Sequence, residues 1–134
     1  MPDSVVNSPA KYISAPTDLT TALAEWTLVP ALAVDTEANS LHSYTEHTSL
    51  VQVSTRHSDY IIDPIAVPDL SPLAPLFADP SIEKVFHAAE NDILGLKRDF
   101  GFEVHGIFDT MLASRILGMP RVGLADLLQE AFGV

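Results

Sequence analysis

The stretch Ala31-Leu32-Ala33-Val34-Asp35-Thr36-Glu37 is apolar until it meets two acids separated by one residue. In an extended strand, residues two apart share a face. Asp35 and Glu37 then stand side by side, about 7 Å apart along the strand. Like charges repel, and burying two carboxylates without a counter-charge is costly. A divalent cation held between them removes that cost. The alternative is a solvated strand end carrying two surface acids, because Asp-x-Glu alone is a common pattern.

A third acid lies in His87-Ala88-Ala89-Glu90-Asn91-Asp92-Ile93-Leu94. Helical spacing puts Ala88, Asp92 and Leu96 on one stripe. Asp92 thus interrupts an apolar face and is expected to project toward the strand end that carries Asp35; otherwise it lies at the polar edge of the stripe. Glu90, Asn91, Lys97 and Arg98 read as an ordinary solvated face. His87, at the end of a strand, reads as a structural, hydrogen-bonded histidine. Asp109, in Phe108-Asp109-Thr110-Met111, sits where a strand meets a helix and reads as an N-cap rather than a metal ligand.

Composition limits the chemistry. The chain has no cysteine, so disulfides and thiolate metal sites are excluded. Any metal site must use carboxylate, imidazole or carbonyl ligands, which suit magnesium or manganese. The formal net charge of −11 counts against a broad electrostatic grip on nucleic acid. A nucleic-acid role must then rest on metal ions, a local patch or another segment. Met1 to Ala10 lacks the pattern of a signal peptide, and no apolar stretch is long enough to cross a bilayer. A soluble, cytoplasmic protein without a membrane partner is expected.

The elements that must position these acids follow from periodicity and punctuation. Residues 1–10 read as a flexible segment. Lys11 to Ser14 reads as a short edge strand. Thr17 to Trp26 reads as a helix capped by Thr17, with Leu19, Leu23 and Trp26 on one stripe. Strands are expected at Leu32–Glu37, Leu50–Thr55, Asp59–Asp63, Ile82–His87 and Val104–Phe108. The short Arg56–Ser58 link implies a hairpin. Helices are expected at Pro72–Phe77, capped by Ser71, and at Ala89–Phe100, Thr110–Leu117 and Leu124–Phe132. This order implies a single α/β domain, a mixed five-stranded sheet with an antiparallel hairpin and helices on both faces.

The pieces together resemble the DEDD 3′–5′ exonucleases, and most closely the ribonuclease D group. The resembling stretch runs from about Tyr12 to Val134. The first motif resembles Asp35-Thr36-Glu37 with the following Ala38-Asn39-Ser40-Leu41-His42-Ser43-Tyr44. The second resembles Val85-Phe86-His87-Ala88-Ala89-Glu90-Asn91-Asp92-Ile93. Phe108-Asp109-Thr110-Met111-Leu112-Ala113-Ser114-Arg115-Ile116-Leu117-Gly118 and Gly123-Leu124-Ala125-Asp126-Leu127-Leu128 resemble later family elements. Each piece is weak alone; their order and spacing are specific.

The resemblance implies an RNase H-like fold and two-metal hydrolysis of phosphodiester bonds from a 3′ end. It implies catalytic and metal roles for Asp35, Glu37 and Asp92. Asp35 would be shared by two Mg2+ or Mn2+ ions, Glu37 would bind the ion carrying the attacking water, and Asp92 would serve the second ion. Leu41, His42 and Tyr44 are implied as contacts to the terminal nucleotide. The partner is the 3′ end of single-stranded RNA, or of DNA. His87 and Asp109 are supporting residues.

The family's last motif, a tyrosine followed four residues later by an aspartate, has no match. The tyrosines are Tyr12, Tyr44 and Tyr60, and Tyr60-Ile61-Ile62-Asp63 has the wrong spacing. The chain therefore reads as the N-terminal part, residues 11–134, of an exonuclease domain that lacks its last helix or helices and any C-terminal RNA-binding domain. Its metal site is expected to be incomplete and its own activity weak or absent. Apolar surface left open is expected to favour self-association. Two other classes compete. One is a non-catalytic binding module that keeps the nuclease fold. The other is an aspartyl phosphatase of the haloacid dehalogenase type, which wants Asp-x-Asp and is disfavoured by the hairpin after Glu37.

Overall fold

The computed structural model describes residues 8–39 and 45–134. Six strands form one sheet in the order β1-β4-β3-β2-β5-β6: β1 (Lys11–Ile13), β2 (Ala31–Asn39), β3 (His47–Ser54), β4 (Asp59–Ile62), β5 (Glu83–Phe86) and β6 (Ile107–Asp109). The expected five-stranded sheet is thus six-stranded, because the edge strand expected at Lys11–Ser14 pairs in parallel with β4 as Lys11–Ile13. The pairs β2–β3 and β3–β4 are antiparallel, and β1–β4, β2–β5 and β5–β6 are parallel. The expected hairpin is present. Its turn closes with Thr55 N donating to Ser58 O at 2.9 Å, while the Thr55 hydroxyl accepts from the His57 and Ser58 amides.

The helices are α1 (Pro16–Trp26), α2 (Ala74–Ala78), α3 (Glu90–Phe100), α4 (Thr110–Ile116) and α5 (Leu124–Phe132). Two starts differ from expectation. Pro16, not Thr17, opens α1; Ala15 is the cap residue and no side chain caps it. Proline suits that first position because its missing N–H would be unpaired there anyway. Before α2, Ser71–Leu73 forms a 3-10 turn, and the Ser71 side chain makes no cap. Helix α2 is short because Asp79, the residue before Pro80, is extended and ends it.

Strand period decides which face is buried. Leu32 and Val34 of β2, Val51 and Val53 of β3, Tyr60 and Ile62 of β4 and Phe86 of β5 point into the core. Leu19, Ala22 and Trp26 of α1, Leu76 and Phe77 of α2, and Leu96 of α3 cover them. Trp26 meets Tyr60 edge-on at 5.1 Å between ring centroids. Ala33, Asp35 and Glu37 alternate to the opposite face and are exposed. That face is bordered by α4 and α5, and α5 buries no residue. Ile116 at the end of α4, Leu117 just after α4, and Leu124 and Phe132 on α5 stay exposed.

The last strand is shorter and later than Val104–Phe108. Gly106 turns the chain at φ 70, and a Cβ there would meet Pro80 O and Ile82 O at 3.1 Å. Residues 104–106 therefore pack against the loop entering β5, and only Ile107–Asp109 extends along the sheet. That loop is held from inside by Lys84, which is fully buried. Its ammonium donates to Asp79 O at 2.6 Å and Ile82 O at 2.7 Å. Among the described residues, no helix is long and apolar enough to cross a membrane.

Candidate metal centre

Asp35 and Glu37 share the exposed face of β2, as the strand period requires. Their register partners on β3 are Gln52 and Leu50, and the pairing shifts between Glu37 and Ala38. Beneath Asp35 lies a hollow of about 320 Å³, lined by Ala33, Asp35, Gln52, His87, Thr110 and Leu124 among others. A second hollow of about 310 Å³ opens between β2, β3 and α3. Thr36, Thr48, Asn91, Asp92, Gly95 and Arg98 border it. The two lie on either side of β2.

Asp92 is the buried member of the set, 8% exposed in the first turn of α3. Its Oδ1 accepts from the Thr36 amide at 3.2 Å and from the Thr36 hydroxyl at 2.5 Å. The same amide lies 3.0 Å from Asp35 Oδ1. Asp92 therefore reaches the strand between the two other acids, and it is not at the polar edge of its helix. Burial raises its carboxyl above the ordinary value. The Thr36 hydroxyl opposes that rise, and the charges of Asp35 and Glu37 add to it. Among the described residues, no cationic side chain is paired with any of the three.

The donor chemistry suits a hard divalent cation. Among the described residues, however, no three carboxylate or imidazole groups stand close enough together to hold an ion as they are. Asp92 is turned toward Thr36. The centre is gathered but not closed.

Helix α3 is fixed at both ends. Asp99 accepts from Thr48 N at 2.6 Å and takes the Arg98 guanidinium at 2.8 and 2.9 Å. The Arg98 hydrogen bond pulls its carboxyl far below the usual range. Burial opposes that pull, and the Thr48 amide reinforces it. In the middle, a Cβ on Gly95 would sit 3.2 Å from Thr48 Oγ1, so only a residue without a side chain fits easily between α3 and β3. At the start, Ala88 does not continue the helical stripe as expected. It lies before α3 with φ 60.

Asp109 is the N-cap of α4, accepting from Met111 N at 2.9 Å and Leu112 N at 3.2 Å. His87 Nδ1 lies 2.9 Å from the Thr110 hydroxyl, a hydrogen-bonded histidine as expected. Leu41, His42 and Tyr44 lie outside the described residues. Sequence reasoning missed Thr36, treating it as the spacer between two acids. It placed Arg98 on a solvated face, where it does lie, but passed over Asp99 beside it. A hydroxyl residue inside Asp-x-Glu, and an Arg-Asp pair ending a helix, were the available signals.

The family model described as 3′-5′ exonuclease matches residues 10–134. The chain is 48% identical to Protein RRP6-like 3 of Arabidopsis thaliana over 103 residues, 76% of this chain and 12% of that protein. It is 40% identical to the exosome complex exonuclease RRP6 of Saccharomyces cerevisiae over 120 residues, 89% of this chain and 16% of that protein. The chain thus spans a small part of these relatives' length. The crystal structure of the catalytic core of RRP6 from Trypanosoma brucei superposes with a TM-score of 0.91 at 35% identity, covering 98% of this chain and 37% of that one. Escherichia coli RNase D, described as an exoribonuclease involved in structured RNA processing, gives 0.87 at 29% identity, covering 95% and 34%.

Proposed function

We propose, from the premise that this chain belongs to the 3′-5′ exonuclease family, that it carries the carboxylate centre of an exoribonuclease that hydrolyses RNA from its 3′ end. The observation that carries the reading is Asp92 bonded to Thr36, between Asp35 and Glu37. Three acids drawn from a strand and a helix gather about Thr36 with no paired cation among the described residues, an arrangement costly for structure alone.

Asp35 and Glu37 would hold Mg2+ or Mn2+ from the exposed face of β2, and Asp92 would join from the α3 side. Divalent cations, when bound, supply an activated water and stabilise the leaving oxygen. Thr36 orients Asp92. RNA as substrate is supported by the yeast exosome exonuclease and by the E. coli exoribonuclease among the similar proteins. Nothing in the side chains of the centre distinguishes a 2′-hydroxyl, so a DNA 3′ end is the alternative that the test must include.

The open geometry favours a second reading for the chain by itself, a binding module that keeps the nuclease fold. Calorimetric titration with Mn2+ separates the two. Binding in the wild type that disappears in Asp35→Ala supports the metal centre. No heat in either protein supports the binding module. Alongside, 5′-labelled RNA and DNA strands of one sequence are incubated with Mn2+, and stepwise shortening of RNA in preference to DNA is expected, slow for this chain. Shortening that persists in Asp35→Ala, or that favours DNA, would overturn the assignment. The Asp35→Ala protein is expected to fold normally, with stability within about 0.5 kcal/mol of wild type, because Asp35 is exposed.

A further inference from the structure

Ala88 is the one non-glycine residue with positive φ among the described residues. A Cβ makes the left-handed region unfavourable. Such a residue persists where its surroundings hold it, often beside a functional site. Here it lies at the bend between β5 and α3, four residues before Asp92. The hydrogen bond from Ile93 N to Ala89 O, 3.0 Å, begins the helix just beyond it. Any rotation at Ala88 swings the first turn of α3, and with it the carboxylate that meets Thr36.

The bend is held by a neighbouring strand. Asp109 ends β6, where it is the register partner of Phe86. Its Oδ1 accepts from Ala88 N at 3.0 Å and its Oδ2 from Ala89 N at 2.9 Å. The same Oδ1 takes the Met111 and Leu112 amides at the start of α4. One carboxylate thus receives four backbone donors from two chain segments. Burial opposes its ionisation, but those four amides outweigh it and hold the carboxyl below its ordinary value. The next residue adds a second tie. The Thr110 hydroxyl donates to Phe86 O at 3.1 Å, which leaves its oxygen to accept from His87 Nδ1–H at 2.9 Å. Residues 86–89 are therefore fastened at every position to Asp109 and Thr110.

We propose that Asp109 is a positioning residue of the carboxylate centre: it clamps Ala88 and Ala89 in the left-handed bend that aims Asp92 at Thr36. The role is distinct from capping α4, which needs only Oδ1. Its consequence for metal binding rests on the reading of Asp35, Glu37 and Asp92 given above. Its consequence for the Asp92–Thr36 contact does not.

The test uses three variants of the 134-residue chain: Asp109→Asn, Ala88→Gly and the pair combined. Asparagine remains a good helix cap but replaces one of the two accepting oxygens with an amide. Glycine adopts the left-handed bend without the clamp. Hydrogen exchange of the Thr36 amide, followed by NMR, reports the contact. Mn2+ titration reports the site.

In Asp109→Asn, Thr36 exchange should rise about tenfold and Mn2+ affinity fall about tenfold, with the helix signal in circular dichroism retained. Ala88→Gly alone should change neither by more than about twofold. In the combined variant the Asp109→Asn loss should be largely restored. An unchanged Thr36 amide in Asp109→Asn overturns the proposal, and so does a loss that Ala88→Gly does not restore. If Asp109→Asn does not fold, Ala88→Val takes its place. It strains the bend further without touching the carboxylate, and must loosen Thr36 in the same way. A wild type that binds no Mn2+ sinks the metal reading but leaves the Thr36 measurement to decide the positioning.

Discussion

Thr36 gives both its backbone N–H, at 3.2 Å, and its hydroxyl, at 2.5 Å, to one oxygen of Asp92. The residue between two exposed acids therefore points to the other side of the strand and recruits a third acid from a helix. Strand alternation makes this possible: Asp35 and Glu37 take one face, and Thr36 the other.

Replacing Thr36 by valine keeps the shape and removes the hydroxyl. Asp92 loses one of its two donors in a nearly buried position. A stability loss of about 1–2 kcal/mol is expected by urea denaturation. Thr36→Ser, which keeps the hydroxyl, should recover most of it. A valine variant as stable as wild type, with the loss falling on serine instead, would show that the methyl group, not the hydrogen bond, matters.

Lys84 is fully buried, and its ammonium satisfies the carbonyls of Asp79 and Ile82. Burial lowers its proton affinity, and the charge of Asp79 partly opposes that. Lys84→Met fills a similar volume but removes the ammonium from both carbonyls, leaving Asp79 O with only the long contact from Ile82 N at 3.4 Å. The expected cost is on the order of 2 kcal/mol, measured by chemical denaturation. A methionine variant as stable as wild type would mean that the loop finds other donors.

Asp99 sets a pH dependence. Its carboxyl is depressed in the fold by Arg98 and by the Thr48 amide. A depressed acid contributes stability that is fully present above its unfolded value of 3.8 and is lost as pH falls toward the folded one. At about pH 7, Asp99→Asn should cost about 1–2 kcal/mol. The gap between the melting temperatures of the two proteins should narrow as pH falls from about 5 to about 3. A gap that stays constant over that range would contradict the assignment.

Much of the fold was legible because it rests on local rules. The alternation of Leu32 and Val34 with Ala33 and Asp35 specified β2 and its faces. The Arg56–Ser58 link announced the hairpin. Leu124–Phe132 was legible to its ends, closed by Gly133 in the left-handed conformation. The misses share another cause. Lys11–Ile13 was legible as an edge strand, but that it adds a sixth strand to the sheet depends on the edge that β4 offers it. Residues 104–106 fail to join β6 because Gly106 is pressed against Pro80 and Ile82, far from it in sequence. Ala88 fits a helical stripe in sequence, yet lies in a left-handed bend made by a carboxylate twenty-one residues away.

The same division runs through the candidate site. Residue type and a two-residue spacing placed Asp35 and Glu37 side by side on an exposed face, because side-chain direction along a strand is a property of the backbone alone. A capping carboxylate at Asp109 was likewise a local fact, since a cap and its amides are two and three residues apart. The meeting of Asp92 with Thr36, and the second duty of Asp109 at Ala88, were decided by tertiary structure. Each joins elements distant in sequence, and its geometry is set by how the sheet orders its strands and how closely α3 packs on β3. No spacing within one segment encodes those distances.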